Sequence, residues 1–153
     1  SIKNLILELK KIRKQNKQIV FTNGCFDVFH AGHVHILNES KKLGDVLVVA
    51  INGDRSIRSL KGPNRPINNL KARIAVLDSI EAIDYIVSFN TKTPDATIKK
   101  IQPSYLTKGD DYDDKKIVGS DFVKSYGGQV KKIKMLTNLS SSIILNKLNL
   151  KKK

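Results

Sequence analysis

Stretches of β-type residues and stretches of helical periodicity alternate strictly along this chain, and this alternation restricts the fold more than any other feature. The run DVLVVAIN at 45–52 is nearly continuous in apolar and β-branched residues. Such a run suits a central parallel strand covered on both faces, because a half-exposed strand would alternate apolar with polar. Further strands are expected at 19–24 (IVFTNG), 84–89 (DYIVSF), 104–109 (SYLTKG) and 129–136 (QVKKIKML). Apolar residues at Ile2, Leu5, Ile6, Leu9 and Ile12 predict an amphipathic helix to about Lys14. Other helices are expected over about 31–43, closed by Gly44, then 70–79, 94–101 from Pro94, 115–126 stopped by Gly127 and Gly128, and from Ser141 onward. The segment with Gly62, Pro63 and Pro66 reads as a loop. The fold class is therefore α/β, a Rossmann-like, doubly wound parallel sheet of five strands in a single domain. The expected organisation is a helix over 1–15, a catalytic core over 19–150 and a frayed tail at 151–153.

In open α/β sheets, ligands bind at the carboxyl ends of the strands, where the strand order reverses. The turn TNGCFDVFHAGHVHIL follows the first strand: Thr22 and Asn23 end it, Gly24 allows a tight turn, and Cys25 and Phe26 lead on. His30 and His33 flank the start of the next helix around Gly32. A helix N-terminus carries partial positive charge and free N–H groups, so two imidazoles there suit the phosphates of a triphosphate. His35 lies two positions beyond His33, off that face, and reads as surface or packing. With no carboxylate or cysteine at helical spacing, the histidines make a poor metal site. A later turn, KGDDYDD, carries Lys108, Gly109, Asp110 and Asp111, with Asp113 and Asp114 suited to capping a helix. In LSSSII, Ser140, Ser141 and Ser142 precede the last helix, where hydroxyls cap the helix or hold a phosphate.

Lys and Arg number 28 against 14 acidic residues, a net charge of +14. The lysines are spread over the whole chain, which describes a basic surface attractive to small phosphorylated substrates more than a dedicated nucleic-acid stripe. No apolar run is long enough to cross a bilayer and the N-terminus has no signal core, so a cytoplasmic protein is expected. Cys25 is the one cysteine, which excludes an internal disulfide, and its place in the turn suits a packed small residue more than a nucleophile.

The order strand, glycine turn, FD, His30-Ala31-Gly32-His33 and helix resembles the HxGH signature of the cytidylyltransferase-like nucleotidyltransferases. FTNGCFDVFHAGHVHIL, INGDRSIRSLKG, RPINNLKARIAVLDSIEAIDYIVSF, TPDATIKKIQP and KGDDYDDKKIVGSDFVKSYGGQV most resemble the adenylyltransferase domain of ADP-heptose synthesis. The resemblance implies that ATP and heptose 1-phosphate give ADP-heptose, a precursor of cell-surface lipopolysaccharide, and pyrophosphate, with magnesium accompanying the triphosphate. It implies that His30, His33, Lys61 and Arg73 are catalytic, with Lys61, Arg73 and Asp27 on the acceptor side. Residues Thr22 to Phe26, Gly32, Lys108, Gly109, Asp110 and the three serines, matching an ISTT-type motif, would border the nucleotide. Some members are fused to a sugar kinase, for which 153 residues leave no room, and homodimers are common among them. An ionised sugar phosphate can attack the α-phosphorus directly, so no covalent nucleophile is needed and the enzyme's work is electrostatic and positional. Glycerol-3-phosphate cytidylyltransferase, or another CTP- or ATP-dependent member, is the alternative; MLTNLSSS lacks the arginine that enzyme often carries there, but it also lacks the heptose enzymes' glycine-containing lead-in. A basic nucleic-acid-binding module is the distant third reading.

Overall fold

The computed structural model describes residues 2–111, 113, 117–136 and 140–150, the side chains of 149 and 150 excepted. Twelve elements follow in the order α1 (Ile2–Lys14), β1 (Ile19–Gly24), α2 (Ala31–Lys41), β2 (Val46–Asn52), α3 (Asp54–Lys61), α4 (Leu70–Asp78), β3 (Tyr85–Phe89), α5 (Asp95–Ile101), β4 (Tyr105–Gly109), α6 (Ser120–Ser125), β5 (Gln129–Ile133) and α7 (Ser141–Leu150). All five strands are parallel, in the order β3-β2-β1-β4-β5. This is the doubly wound α/β architecture that the alternation predicts.

Every residue of β2 is buried, as its uninterrupted apolar run requires of a strand covered on both faces. Alternate residues serve opposite layers. Phe21, Val48, Ala50 and Leu106 pack under Leu5 and Leu9 of α1 and Ile98 and Ile101 of α5. Val20, Leu47, Val49 and Ile51 pack against Leu37 of α2 and Leu77 of α4. The first layer is pinned at its rim by Arg13, whose guanidinium donates to the Ile101 carbonyl.

Several boundaries differ from the sequence reading, α2 among them, which ends at Lys41 and not at 43. Residues 54–61, read as part of a loop, form α3. Its N-cap is Gly53, which provides no side-chain cap, so the usual start signal is missing. A Cβ at Gly53 would meet the side-chain amide of Asn90, which would have to move aside. The expected helix over 115–126 is described only as Ser120–Ser125, with Lys115 outside the described residues. The last strand ends at Ile133, short of 136. Asp84 precedes β3; its carboxylate instead accepts from the Leu47 N–H at 2.7 Å and from Lys41 at 2.5 Å. The tail at 151–153 lies outside the described residues. Among the described residues, no helix is long and apolar enough to cross a membrane.

Candidate active site at the strand-order reversal

The chain runs outward from β1 to β2 and β3, then returns across the sheet to β4 and β5, so the connections leaving β1 and β4 diverge. A cleft of about 540 Å³ opens between them. Its walls come from the β1–α2 turn, the start of α2, the end of α3, the β3–α5 loop, the end of β4 and the start of α7. Lys61, Lys92 and Lys108 give it positive charge, and Asp111 adds a carboxylate.

His30 and His33 are fixed by the helix they begin. His30 is the N-cap of α2, and its Nδ1 accepts from the Gly32 N–H at 3.1 Å. His33 reaches back, its Nδ1 accepting from the His30 N–H at 3.3 Å. The two bonds form a reciprocal capping box built from imidazoles. Because each Nδ1 is an acceptor, each neutral ring carries its hydrogen on Nε2, the nitrogen left to serve a ligand. The ring centroids lie 3.9 Å apart, and His33 is stacked on Phe29 at 5.3 Å and tilted against Phe26 at 5.3 Å. Burial, then the neighbouring His30 and Lys61, push the His33 pKa down to about 4. Burial likewise lowers that of His30. At neutral pH the pair therefore offers neutral N–H donors. Phosphate would meet these donors more than the helix N–H groups, since that of Gly32 is already taken by His30 and that of His33 by the His30 carbonyl. Gly32 is buried and does not line the cleft, which corrects its expected role beside the nucleotide.

Lys108 stands on β4 with its Nζ donating to the Asn23 carbonyl at 3.0 Å. Burial pulls its pKa down to about 8, partly offset by Cys25 and Asp111. Gly109 follows, and a Cβ there would meet Asp111 Oδ1 at 2.5 Å and Met135 Sδ at 2.6 Å, so a side chain at this position would push both aside. Lys108 binds an anion best when charged. The affinity of the cleft for a phosphate-bearing anion is therefore expected to be level below pH 8 and to weaken above it by up to about tenfold per pH unit, because the free site must take up a proton to bind. Calorimetric titration across pH 7–9.5 checks this, and Lys108→Gln should flatten the profile.

Three expected site residues have different work. Arg73 is expected to be catalytic and on the acceptor side, but its side chain is 1% exposed and does not line the cleft. Its Nη1 donates to the carbonyls of Cys25 and Asn52 at 2.7 Å each, its Nε to that of Asn68 at 2.9 Å, and its Nη2 to Asp54 Oδ1 at 2.7 Å. Arg73 thus ties together the β1–α2 turn, the end of β2, the start of α3 and the loop before α4. Asp27 borders the cleft, yet its carboxylate is committed to Arg65 Nε at 2.6 Å and to the N–H groups of Ile67 and Asn68 at 2.9 and 2.8 Å. Burial alone would raise its pKa, but the bonds from Asn68, Ile67 and Arg65 outweigh this and hold it below the usual carboxylate range. Asp110 accepts from the Met135 N–H at 3.0 Å and stays out of the cleft; Asp111 lines it instead. Both aspartates divert a side chain expected to meet ligand into bracing a loop.

The remaining expected residues converge. Thr22, Asn23, Gly24, Cys25, Phe26, His30, His33, Lys61, Lys108, Gly109, Ser140, Ser141 and Ser142 all line the cleft. Ser140 Oγ accepts from the Ile143 N–H at 3.2 Å as a cap, and Ser141 Oγ donates to the Val28 carbonyl at 3.1 Å, fastening α7 to the β1–α2 turn. His35 packs as expected, bonding the Lys134 carbonyl at 2.9 Å. Sequence reasoning missed Asn52, Lys92, Thr93 and Pro94. The signal available for the last three was position alone: they follow β3 at the same sheet edge as the other turns.

The chain is similar to known proteins along most of its length. The cytidylyltransferase-like family model matches residues 21–147. The bifunctional protein HldE of Alcanivorax borkumensis is 49% identical over 94% of this chain, and that of Pseudomonas entomophila 45% identical over 97%. The chain spans 30% and 31% of those two proteins' lengths, less than a third of each. A crystal structure of the lipopolysaccharide core biosynthesis protein from Thermoplasma volcanium superimposes with a TM-score of 0.64 at 30% identity, covering 78% of this chain and 97% of that one. With the histidine capping box at the strand-order reversal and a family match over most of its length, this chain belongs to the cytidylyltransferase-like family of nucleotidyltransferases.

Proposed function

We propose that the chain transfers AMP from ATP to a sugar 1-phosphate, heptose 1-phosphate, giving ADP-heptose and pyrophosphate. The observation that carries this reading is the pair of neutral imidazoles, His30 and His33, held by their Nδ1 atoms beside Lys61 and Lys108 in one cleft. An oxygen of the sugar phosphate attacks the α-phosphorus, the bond to the β-phosphate oxygen breaks, and pyrophosphate leaves with the negative charge. Donors aimed at the triphosphate stabilise that developing charge without any proton being transferred. Lys61 at the end of α3 and Lys92 after β3 line the cleft from the β2–β3 side of β1, opposite Lys108 on β4, and suit the second polyanion, whose approach the net charge of +14 also favours. The description of the Thermoplasma neighbour as a lipopolysaccharide core biosynthesis protein supports a sugar-nucleotide product.

Magnesium belongs to this reading as the triphosphate's counter-ion. Among the described residues, no trio of His, Cys, Asp or Glu is placed to hold a metal ion. Asp27 is committed to Arg65 and its loop, which leaves Asp111 as the carboxylate available to a nucleotide-borne ion. When bound, the ion neutralises phosphate charge. A cytoplasmic location and a homodimer are part of the same reading, the latter checked by analytical ultracentrifugation.

The deciding experiment measures pyrophosphate release with magnesium, pairing ATP or CTP with heptose 1-phosphate or glycerol 3-phosphate. Release from ATP with heptose 1-phosphate alone supports the proposal. Release from CTP with glycerol 3-phosphate keeps the chemistry and replaces the substrates. Silence with every pair removes the catalytic reading and turns attention to salt-sensitive nucleic-acid binding.

A further inference from the structure

At the carboxyl end of β1, the family resemblance sets Asn23 beside the nucleotide but gives its side-chain oxygen no partner. Asn23 lines the cleft, and its Oδ1 is buried and accepts no hydrogen bond among the described residues. A buried amide oxygen without a donor is costly, and in a binding cleft a ligand can supply that donor. The surroundings keep the residue from relaxing. Asn23 lies in register with Ala50 of β2, and its main-chain carbonyl accepts from Lys108 Nζ at 3.0 Å. The preceding Thr22 is tied across the sheet, its Oγ1 donating to the Thr107 carbonyl at 3.2 Å. The main chain at Asn23 is thereby fixed, and a donor for Oδ1 has to come from outside the described residues.

Ligand chemistry narrows the choice. Ionised phosphate oxygens only accept, so neither the triphosphate nor an acceptor's phosphate can satisfy Oδ1. Residue 23 lies beside the Lys108 ammonium and on the turn that leads to His30 and His33, where phosphates belong. The donors that travel next to a phosphate are sugar hydroxyls, present on both the nucleotide's ribose and the acceptor. Resting on the nucleotidyl-transfer reading, we infer that Asn23 Oδ1 accepts a hydrogen bond from a sugar hydroxyl neighbouring a phosphate, which makes Asn23 a specificity residue of the cleft.

The test is a cycle of substrates and variants. The kcat/KM for pyrophosphate release is measured with ATP, 2′-deoxyATP and 3′-deoxyATP, and with heptose 1-phosphate and its 2-deoxy analogue. The native protein is expected to lose about tenfold with one of the deoxy compounds, the worth of one such bond. Asn23→Ala should lose about as much with the full substrates and nothing further with that deoxy compound, while Asn23→Ser, which keeps an oxygen, should recover part of the loss. The analogue that shows the coupling tells ribose from acceptor. The melting temperature of unliganded Asn23→Ala should hold or rise, because the atom removed has no partner to lose. A fall of several degrees would make the amide structural and overturn the inference, as would deoxy penalties that are absent in the native protein or unchanged in Asn23→Ala. If the native protein releases no pyrophosphate with any pair, the proposed reaction fails separately. Calorimetric affinities for the same nucleotides and sugar phosphates then decide the inference by the same pattern.

Discussion

His33→Gln is expected to lower kcat/KM for pyrophosphate release by roughly 10²–10³-fold while leaving the fold intact, the range seen when one preorganised donor to a developing anion is removed. Glutamine is the informative substitution because of where His33 sits. It is the third residue of α2, and its Nδ1 accepts from the His30 N–H. Glutamine at that position of a helix can reach back to the same N–H, so the capping box survives. What it cannot reproduce is a donor at the far side of a ring held between Phe26 and Phe29. The loss should fall mainly on kcat if the donor acts in the transition state and on KM if it serves binding alone. Since His33 has its pKa near 4, its substitution should leave the pH profile above pH 6 unchanged in shape. Unchanged activity in a folded His33→Gln protein would remove His33 from the chemistry.

Arg73→Met is expected to have the largest effect on stability, about 3–5 kcal/mol, or a melting temperature lower by roughly 10 °C or more. Four hydrogen bonds disappear together, stripping the carbonyls of Cys25, Asn52 and Asn68 and leaving the Asp54 carboxylate without its cation. Cys25 and Asn52 both line the cleft, so the release of their carbonyls should also raise KM for both substrates. Arg73→Lys keeps the charge but lacks the planar fork that reaches all four acceptors, and it should recover less than half of the lost stability. Denaturant unfolding of the three proteins checks this. A variant that unfolds like the native protein yet loses activity would return Arg73 to direct phosphate contact.

These two residues show how far local sequence reaches toward the placement of a side chain. The histidines could be assigned because their chemistry depends on neighbours within three positions, all printed in His30-Ala31-Gly32-His33. A strand, a glycine turn and the start of a helix form one local unit, and the two rings cap it by bonding across that unit. For Arg73 the family resemblance implies a cation facing ligand, which its local sequence neither supports nor excludes. Its acceptors stand 5, 19, 21 and 48 residues away, and only the assembled sheet brings them to one guanidinium. Asp27 went the same way, claimed by a loop about 40 residues later.

By itself the sequence determined the parallel sheet, because the apolar run of β2 tolerates no other setting, and it determined the position of the cleft, because the histidine turn follows the first strand. It missed α3, whose glycine N-cap is a weak local signal, and it exchanged Asp111 for Asp110, which differ only in the direction the chain turns after β4. Tertiary structure alone decided which charged groups face the ligand and which are spent inside the protein. Local pattern follows from backbone periodicity within a few residues, whereas the fate of a charge depends on which distant carbonyls and amides arrive beside it and must be satisfied once water is excluded.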